Sequence, residues 1–425
     1  MAQACGVDFG TSNSTVGWQQ AGRPALLKLE DNKVTLPSVV FFNADENETN
    51  FGRAALNSYL EGYEGRLMRS MKSLLGTALL DGQTEVQGRS LPFKELLTLF
   101  IGELKARAER DAGQYFQQAV FGRPVHFIDD DEKADRQAQN SLEEIARTVG
   151  FKDIAFQFEP IAAAIDYESR INKEELVLVA DIGGGTSDFS LIRLSPERSQ
   201  KIERHSDILG HGGVHIGGTD FDKYLSLAHI MPLLGSGGHL SSGIAMPSSY
   251  YYNLATWHTI NLVYTQKVAR ELHDVLREID DADLRTRVER LMHLLEQRDG
   301  HWLAIQAEEA KIALSEQDHV RRTLSRLKSK DRAAEACYLD VTQTAFDSAI
   351  APLMTTIQTT ISDVVHSAGI NADQIDTLFF TGGSSGVRGL RRGIASLSPA
   401  AKQVEGDLFG SIGAGLGLDA ARRYA

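Results

Sequence analysis

Three observations predict that this 425-residue chain is an α/β protein of two homologous lobes with a ligand held between them. The first is the segment Asp8-Phe9-Gly10-Thr11-Ser12-Asn13-Ser14-Thr15, set between stretches of strand character at Ala4 to Val7 and Val16 to Trp18. The second is Asp181-Ile182-Gly183-Gly184-Gly185-Thr186-Ser187-Asp188, set between Leu176 to Ala180 and Phe189 to Ile192. Each reads as a β-hairpin with a tight Gly/Thr/Ser turn. The third is length, which is enough for two lobes that each bury a core.

The chemistry of the two turns is legible. Glycine lets backbone N–H groups approach an anion, Thr and Ser add hydroxyl donors, and Asp suits a metal or its waters. Two such turns facing each other would clamp a polyphosphate with its Mg²⁺. No G-x-x-x-x-G-K-[ST] occurs, and Gly183 to Gly185 run into a strand rather than a helix. Both the P-loop and the dinucleotide fingerprint are therefore excluded. A lone turn of this kind is usually just a hairpin; recurrence in one chain is what carries the nucleotide reading.

The elements follow in order. Hairpin strands occupy 1 to about 35, and Thr35-Leu36-Pro37-Ser38-Val39-Val40-Phe41-Phe42 opens a smaller inserted unit. Phe93, Leu96, Leu97, Phe100 and Leu104 mark a helix over 93–110. A strand at Ala119-Val120-Phe121 and a helix at about 131–149 come next. The second lobe begins near Ala163, with hairpin strands to about 205; the run 176–180 reads as a strand buried on both faces. Gly235 to Gly243 is Gly/Ser-rich and reads as a mobile loop. Leu272, Val275, Leu276 and Ile279, then Leu284, Val288, Leu291 and Leu295, mark amphipathic helices. A final helix ends at Tyr424.

Composition narrows the class. Apolar residues make up 42% and charged residues 24%, ordinary for a globular chain. A net charge of −13 argues against nucleic acid or an anionic membrane as main partner. Only Cys5 and Cys337 occur, which points to a reducing compartment and a cytoplasmic location. No signal peptide, membrane span or structural-metal spacing is expected.

At this point a resemblance becomes specific. Gly6 to Ser14 and Asp181 to Asp188 are similar to the two phosphate motifs of the DnaK-type heat-shock chaperones, within the actin-like ATPase superfamily. Glu159-Pro160-Ile161-Ala162-Ala163-Ala164, Gly217-Gly218-Thr219-Asp220-Phe221-Asp222 and Phe380-Thr381-Gly382-Gly383-Ser384-Ser385 resemble further motifs of that family, the last its adenosine motif. Asp407 to Gly415 resembles its closing helix. The matches run in order from residue 6 to about 420, most like the short YegD-like members.

The resemblance implies an actin-like ATPase fold: two lobes, each with a βββαβα-type ribonuclease-H-like core and a smaller inserted subdomain, nucleotide in the cleft. Lobe I would be 1–162, its core 1–35 and 93–162 and its insert 36–92. Lobe II would be 163–425, its core 163–222 and 301–425 and an enlarged helical subdomain 223–300. No separate peptide-binding domain is expected, so a client or partner protein would meet the lobes themselves. A monomer is expected.

It also implies roles. Asp8 and Asp181 would hold Mg²⁺ through its waters, and Gly10, Thr11, Ser12, Asn13 with Gly183, Gly184, Gly185 and Thr186 would cradle phosphate. Lys72, in Met71-Lys72-Ser73-Leu74-Leu75-Gly76, would reach the γ-phosphate. Glu159, Thr186 and Asp188 would complete the catalytic set, Asp188 near the attacking water unless it merely caps its turn. Gly217, Gly218, Glu308, Lys311, Ser315, Gly382, Gly383, Ser384 and Asp407 would contact ATP or ADP. Glu308, Lys311 and Ser315 share a helix face.

The chain departs from the family where Ile312 and Gly386 replace two arginines that would stack on adenine, and where Thr219 replaces Glu. Arg123-Pro124 resembles the hinge segment, with Arg136 as its partner arginine. Three function classes are compatible: a slow chaperone-type ATPase, a nucleotide-gated assembly or binding protein, and a small-molecule kinase.

Overall fold

The computed structural model describes residues 4–23, 25–128, 131–328 and 336–424. Strands β1 (Ala4–Asp8) and β2 (Asn13–Gly17) form the first hairpin, with Asp8 opposite Thr15. The second strand starts at Asn13 rather than Val16 because Asn13 and Ser14 pair with β3 (Leu36–Pro37), a partner far along the chain. The inserted unit has β4 (Val39–Asn43), β5 (Glu48–Phe51), α1 (Gly52–Leu60) and β6 (Gly65–Arg69), the strands in order β5-β4-β6. A hairpin of β7 (Gln83–Val86) and β8 (Arg89–Pro92) follows.

Helix α2 (Phe93–Ala112) buries Leu96, Leu97, Phe100 and Leu104 and stops at Gly113, whose φ of 70° a side chain would disfavour. After β9 (Gln118–Arg123), Asp131 accepts from the Lys133 and Ala134 amides and starts α3 (Glu132–Thr148). Strand β10 (Asp153–Phe158) leads into α4 (Glu159–Glu168), with Pro160 in its first turn. The sheet order is β10-β9-β1-β2-β3, with β9 and β10 parallel to β1.

The second half repeats this plan. Strands β11 (Glu175–Ile182), β12 (Ser187–Leu194) and β13 (Ile208–Val214) form an antiparallel meander. Then come α5 (Gly218–Leu225), α6 (Ser248–Ala255), α7 (Gln266–Arg277), α8 (Ala282–Glu296) and α9 (Gly300–Leu314). A hairpin of β14 (His319–Thr323) and β15 (Tyr338–Thr342) precedes α10 (Gln343–Ser367). The chain finishes with β16 (Thr377–Thr381), α11 (Arg388–Ala395), β17 (Lys402–Glu405) and α12 (Ser411–Arg423). The order β13-β12-β11-β16-β17, with β16 and β17 parallel to β11, matches the first sheet strand for strand.

Two expectations change. Strand β13 lies beyond 205, and its composition hides it: it holds Gly210, Gly212 and Gly213. A Cβ at Gly210 would lie 2.9 Å from the Val364 carbonyl oxygen, and one at Gly212 2.8 Å from the Val364 side chain. The glycines thus let α10 approach the sheet. The stretch Gly235 to Gly243 is hydrogen-bonded: the Gly238 amide donates to the Gly235 carbonyl, and those of Leu240 and Met246 to Ile244 and Gly238. It also packs on α8, since a Cβ at Gly238 would lie 2.4 Å from Leu284.

The chain divides into two compact units: one of Met1–His215, Thr359–Ser385 and Ala395–Ala425, the other of Ile216–Gln358 and Gly386–Ile394. Both five-stranded sheets belong to the first unit. Phe9, Val16, Trp18, Phe100, Phe121 and Phe151 lie in the core beside the first sheet, and Ile161, Tyr167, Val179, Ile192 and Phe379 in the core beside the second. Burying each such side chain contributes about 1.5–3 kcal/mol. Helix α12 rests on backbone: a Cβ at Gly6 would lie 2.2 Å from the Gly417 nitrogen, and one at Gly415 1.9 Å from the Ala162 carbonyl oxygen. This seating fixes β1 and α4, the elements that carry Asp8 and Glu159.

Candidate functional site

The first turn is built by backbone constraint. A Cβ at Gly10 would lie 2.1 Å from the Asn13 carbonyl oxygen, so no other residue closes this turn. Ser38 clamps it from below: its hydroxyl donates to the Gly10 carbonyl at 2.7 Å and its amide to the Ser12 carbonyl at 2.9 Å. Thr15 donates to the Asp8 carboxylate at 3.3 Å from the paired strand. Ser38 and Thr15 were not expected as site residues; the Leu36-Pro37-Ser38 strand start is the only signal for Ser38.

In the second turn the Gly183 amide donates to the Thr186 carbonyl at 2.9 Å. Asp181 sits opposite Asp188, and the Thr186 hydroxyl donates to the Asp188 carboxylate at 3.1 Å. A Cβ at Gly184 would lie 2.3 Å from the Ser12 hydroxyl oxygen, whereas Gly185 has open space around it. The two turns therefore face each other across a gap that only glycine leaves open. A third turn joins them at the end of β16. Gly382 has φ of 80°, and its Cβ would lie 2.5 Å from a carboxylate oxygen of Asp181. Ser385 holds that turn, its hydroxyl donating to the Gly382 carbonyl at 2.8 Å. Ser384 is buried beside it.

Lys72 enters from a 3₁₀ turn of the inserted unit, Met71–Leu74, anchored by buried Met71. Its ammonium donates to Glu159 at 2.5 Å, and both side chains are largely buried. Burial disfavours the Lys72 charge, but Glu159, Asp8 and Asp188 outweigh it and raise its pKa. Asp8 is pushed up to about 7 by burial and by Glu159, against Lys72 and the Thr15 hydrogen bond. Asp181 is pushed up to about 8 by burial, then by Asp188, Glu159 and Asp8. Four carboxylates thus share one ammonium, and the site is short of positive charge.

That shortage tests the fit of a magnesium ion. Among the described residues no group of three or more His, Cys, Asp and Glu could hold a metal by itself. Mg²⁺ does not require one, because it keeps several waters and takes one or two carboxylates plus phosphate oxygens. Asp8, which accepts from the Thr15 hydroxyl, and Asp181, both underneutralised, fit a metal held in that way.

The first unit brings together Asp8, Gly10 to Asn13, Lys72, Glu159, Asp181, Gly183 to Thr186, Asp188 and Gly382 to Ser384. Asp407 lies ahead of α12, which begins at Ser411 rather than Asp407; its carboxylate accepts from the Phe409 amide and its carbonyl from the Ser411 amide, both at 3.1 Å. The second unit holds Gly217, Gly218, Glu308, Lys311 and Ser315. Asp220 accepts from the Gly217 amide at 3.0 Å and opens α5. The Lys311 ammonium lies 2.9 Å from Asp222 and donates to the Gly218 carbonyl at 3.2 Å, so it ties α9 to α5. Burial pushes Asp222 up to about 6 even with Lys311 beside it. Glu308 and Ile312 are exposed, Ile312 by 56%. In the hinge segment it is Arg123 itself that binds α3, through Asp135 at 2.7 Å and Gln139 at 2.6 Å.

A five-stranded sheet of one order occurring twice, with a glycine turn and an aspartate at the end of the first strand of each copy, is the actin-like ATPase fold. The model of one family, described as Hsp70 protein, matches residues 4–96, 83–233 and 287–416. The chain belongs to the Hsp70 protein family, and with it to the ATP-binding, chaperone-like proteins. The match passes over 234–286, within α6 to α8 and the loops around them. Among the described residues, no helix is long and apolar enough to cross a membrane.

Proposed function

We propose that the protein binds Mg-ATP and Mg-ADP with the phosphates between the turns at Gly10–Asn13 and Gly183–Thr186, and hydrolyses ATP slowly. The observation that carries this is the facing pair of glycine turns ringed by four carboxylates and a single lysine. Asp8 and Asp181 would hold Mg²⁺ through its waters, and backbone amides with the Thr11, Ser12 and Thr186 hydroxyls would donate to phosphate oxygens. Bound Mg²⁺ supplies neutralisation of the charge that develops on the transferring phosphoryl group. Lys72 would reach the γ-phosphate, Glu159 would orient the attacking water, and Asp188 would take its proton. The products are ADP and inorganic phosphate.

Slow turnover has a physical basis in the same site. Lys72 and Glu159 are paired at 2.5 Å, so each commits part of its hydrogen-bonding capacity to the other and offers less of it to phosphate or water. Lobes parting near Ala163, within α4, would transmit nucleotide state to a client or partner protein. A reducing, cytoplasmic setting is part of the reading, since Cys5 and Cys337 are both free and buried. The close Lys72–Glu159 pair also favours a second reading, a nucleotide-gated binding or assembly protein with little turnover. Purified protein given Mg-ATP separates these. Release of phosphate over many turnovers supports the ATPase; ATP bound but intact supports the gated protein; a phosphorylated small molecule would point to a kinase and against both.

A further inference from the structure

The structure assigns the base of the bound nucleotide a stacking platform on Phe409, an aromatic ring at the mouth of the phosphate site. This rests on the nucleotide-binding reading above and adds to it which side chain receives the base. Phe409 is 53% exposed, a large apolar side chain between half-buried Leu408 and buried Gly410. Single exposed apolar residues are common and mean nothing alone. The surroundings of this one are specific.

Its ring lies directly on the third glycine turn. A Cβ at Gly383 would stand 2.5 Å from one ring carbon of Phe409 and 3.0 Å from the next, so the contact exists only because that residue is glycine. One residue earlier, Gly382 lies against the Asp181 carboxylate with the same intimacy. The ring is therefore separated from the metal-facing aspartate by a single dipeptide. Its backbone is also held: the Phe409 amide donates to Asp407 at 3.1 Å, and the Asp407 carbonyl receives the first amide of α12. A fixed, half-bare aromatic face beside a phosphate site is a surface on which any purine or pyrimidine can stack. Every base offers a π-face, so such a platform adds affinity without selecting among bases. That character suits a chain in which Ile312 and Gly386 stand where stacking guanidiniums would otherwise be.

The test compares a ligand with a base to one without. Binding of Mg-ADP and of Mg-tripolyphosphate is measured by calorimetry for the wild type, Phe409→Ala and Phe409→Trp. Stacking predicts that Phe409→Ala weakens Mg-ADP by about ten-fold to a hundred-fold and leaves Mg-tripolyphosphate within about two-fold. Phe409→Trp should keep Mg-ADP affinity, and its indole fluorescence should be quenched by Mg-ADP but not by Mg-tripolyphosphate. If Phe409→Ala binds Mg-ADP like the wild type, or loses both ligands equally, the platform is refuted while nucleotide binding stands. If the wild type binds neither ligand, the nucleotide reading falls and this inference falls with it.

Discussion

Asp8 and Asp181 show how one residue's charge state links the fold to its ligand. Both carboxyls titrate well above the ordinary range, at about 7 and about 8. The folded protein then holds protons that the unfolded chain has released above about pH 4. Their contribution to stability is fully present below that pH and is lost as pH rises through 7 and 8. Thermal unfolding without nucleotide should show a falling midpoint over this range. Asp181→Asn should flatten the fall and raise the midpoint at pH 8, while weakening Mg²⁺-dependent nucleotide binding; an unchanged slope would show that the carboxyl is not held protonated.

Lys72 and Glu159 act at the same scale. Lys72→Ala or Glu159→Gln should lower phosphate release by about ten-fold or more while ADP affinity barely moves, and equal loss of both would mark the pair as structural. At the base side, Ile312→Arg with Gly386→Arg should tighten ATP binding, each stacked cation adding about 0.5–2 kcal/mol. No gain would mean that base contacts elsewhere already suffice.

At the scale of elements, the two hairpins were legible because every determinant is local: strand, Asp, Gly-rich turn, strand. Strand β13 was not, since its glycines suit a strand only once α10 lies on them. The start of β2 is hidden for the same kind of reason, its first residues depending on pairing with Leu36 and Pro37. The clamp by Ser38, the tie of Lys311 to Asp222 and the ring of Phe409 on Gly383 are tertiary contacts with no local signature. Helix α12 carries the strongest element-level prediction. A methyl at Gly415 would meet backbone, the Ala162 carbonyl oxygen, which cannot rotate away. Gly415→Ala should cost about 1–3 kcal/mol of stability by overpacking and should shift α4, and so Glu159, lowering phosphate release. Denaturant unfolding with a phosphate-release assay checks both; wild-type values would show that α12 does not seat the catalytic element.

At the scale of the whole molecule, duplication explains the site. Two sheets of one topology each carry an aspartate at or next to the end of their first strand and turn through glycine, and the two turns meet at Gly184 and Ser12. Neither hairpin alone would supply more than half of the proposed phosphate clamp. Binding of a metal-bound polyphosphate by the pair is checked by calorimetric titration of the wild type with ADP, with and without Mg²⁺. One site per chain is expected, with affinity that collapses when Mg²⁺ is withheld. The absence of heat and of any thermal shift with Mg-ADP, or binding indifferent to Mg²⁺, would contradict it.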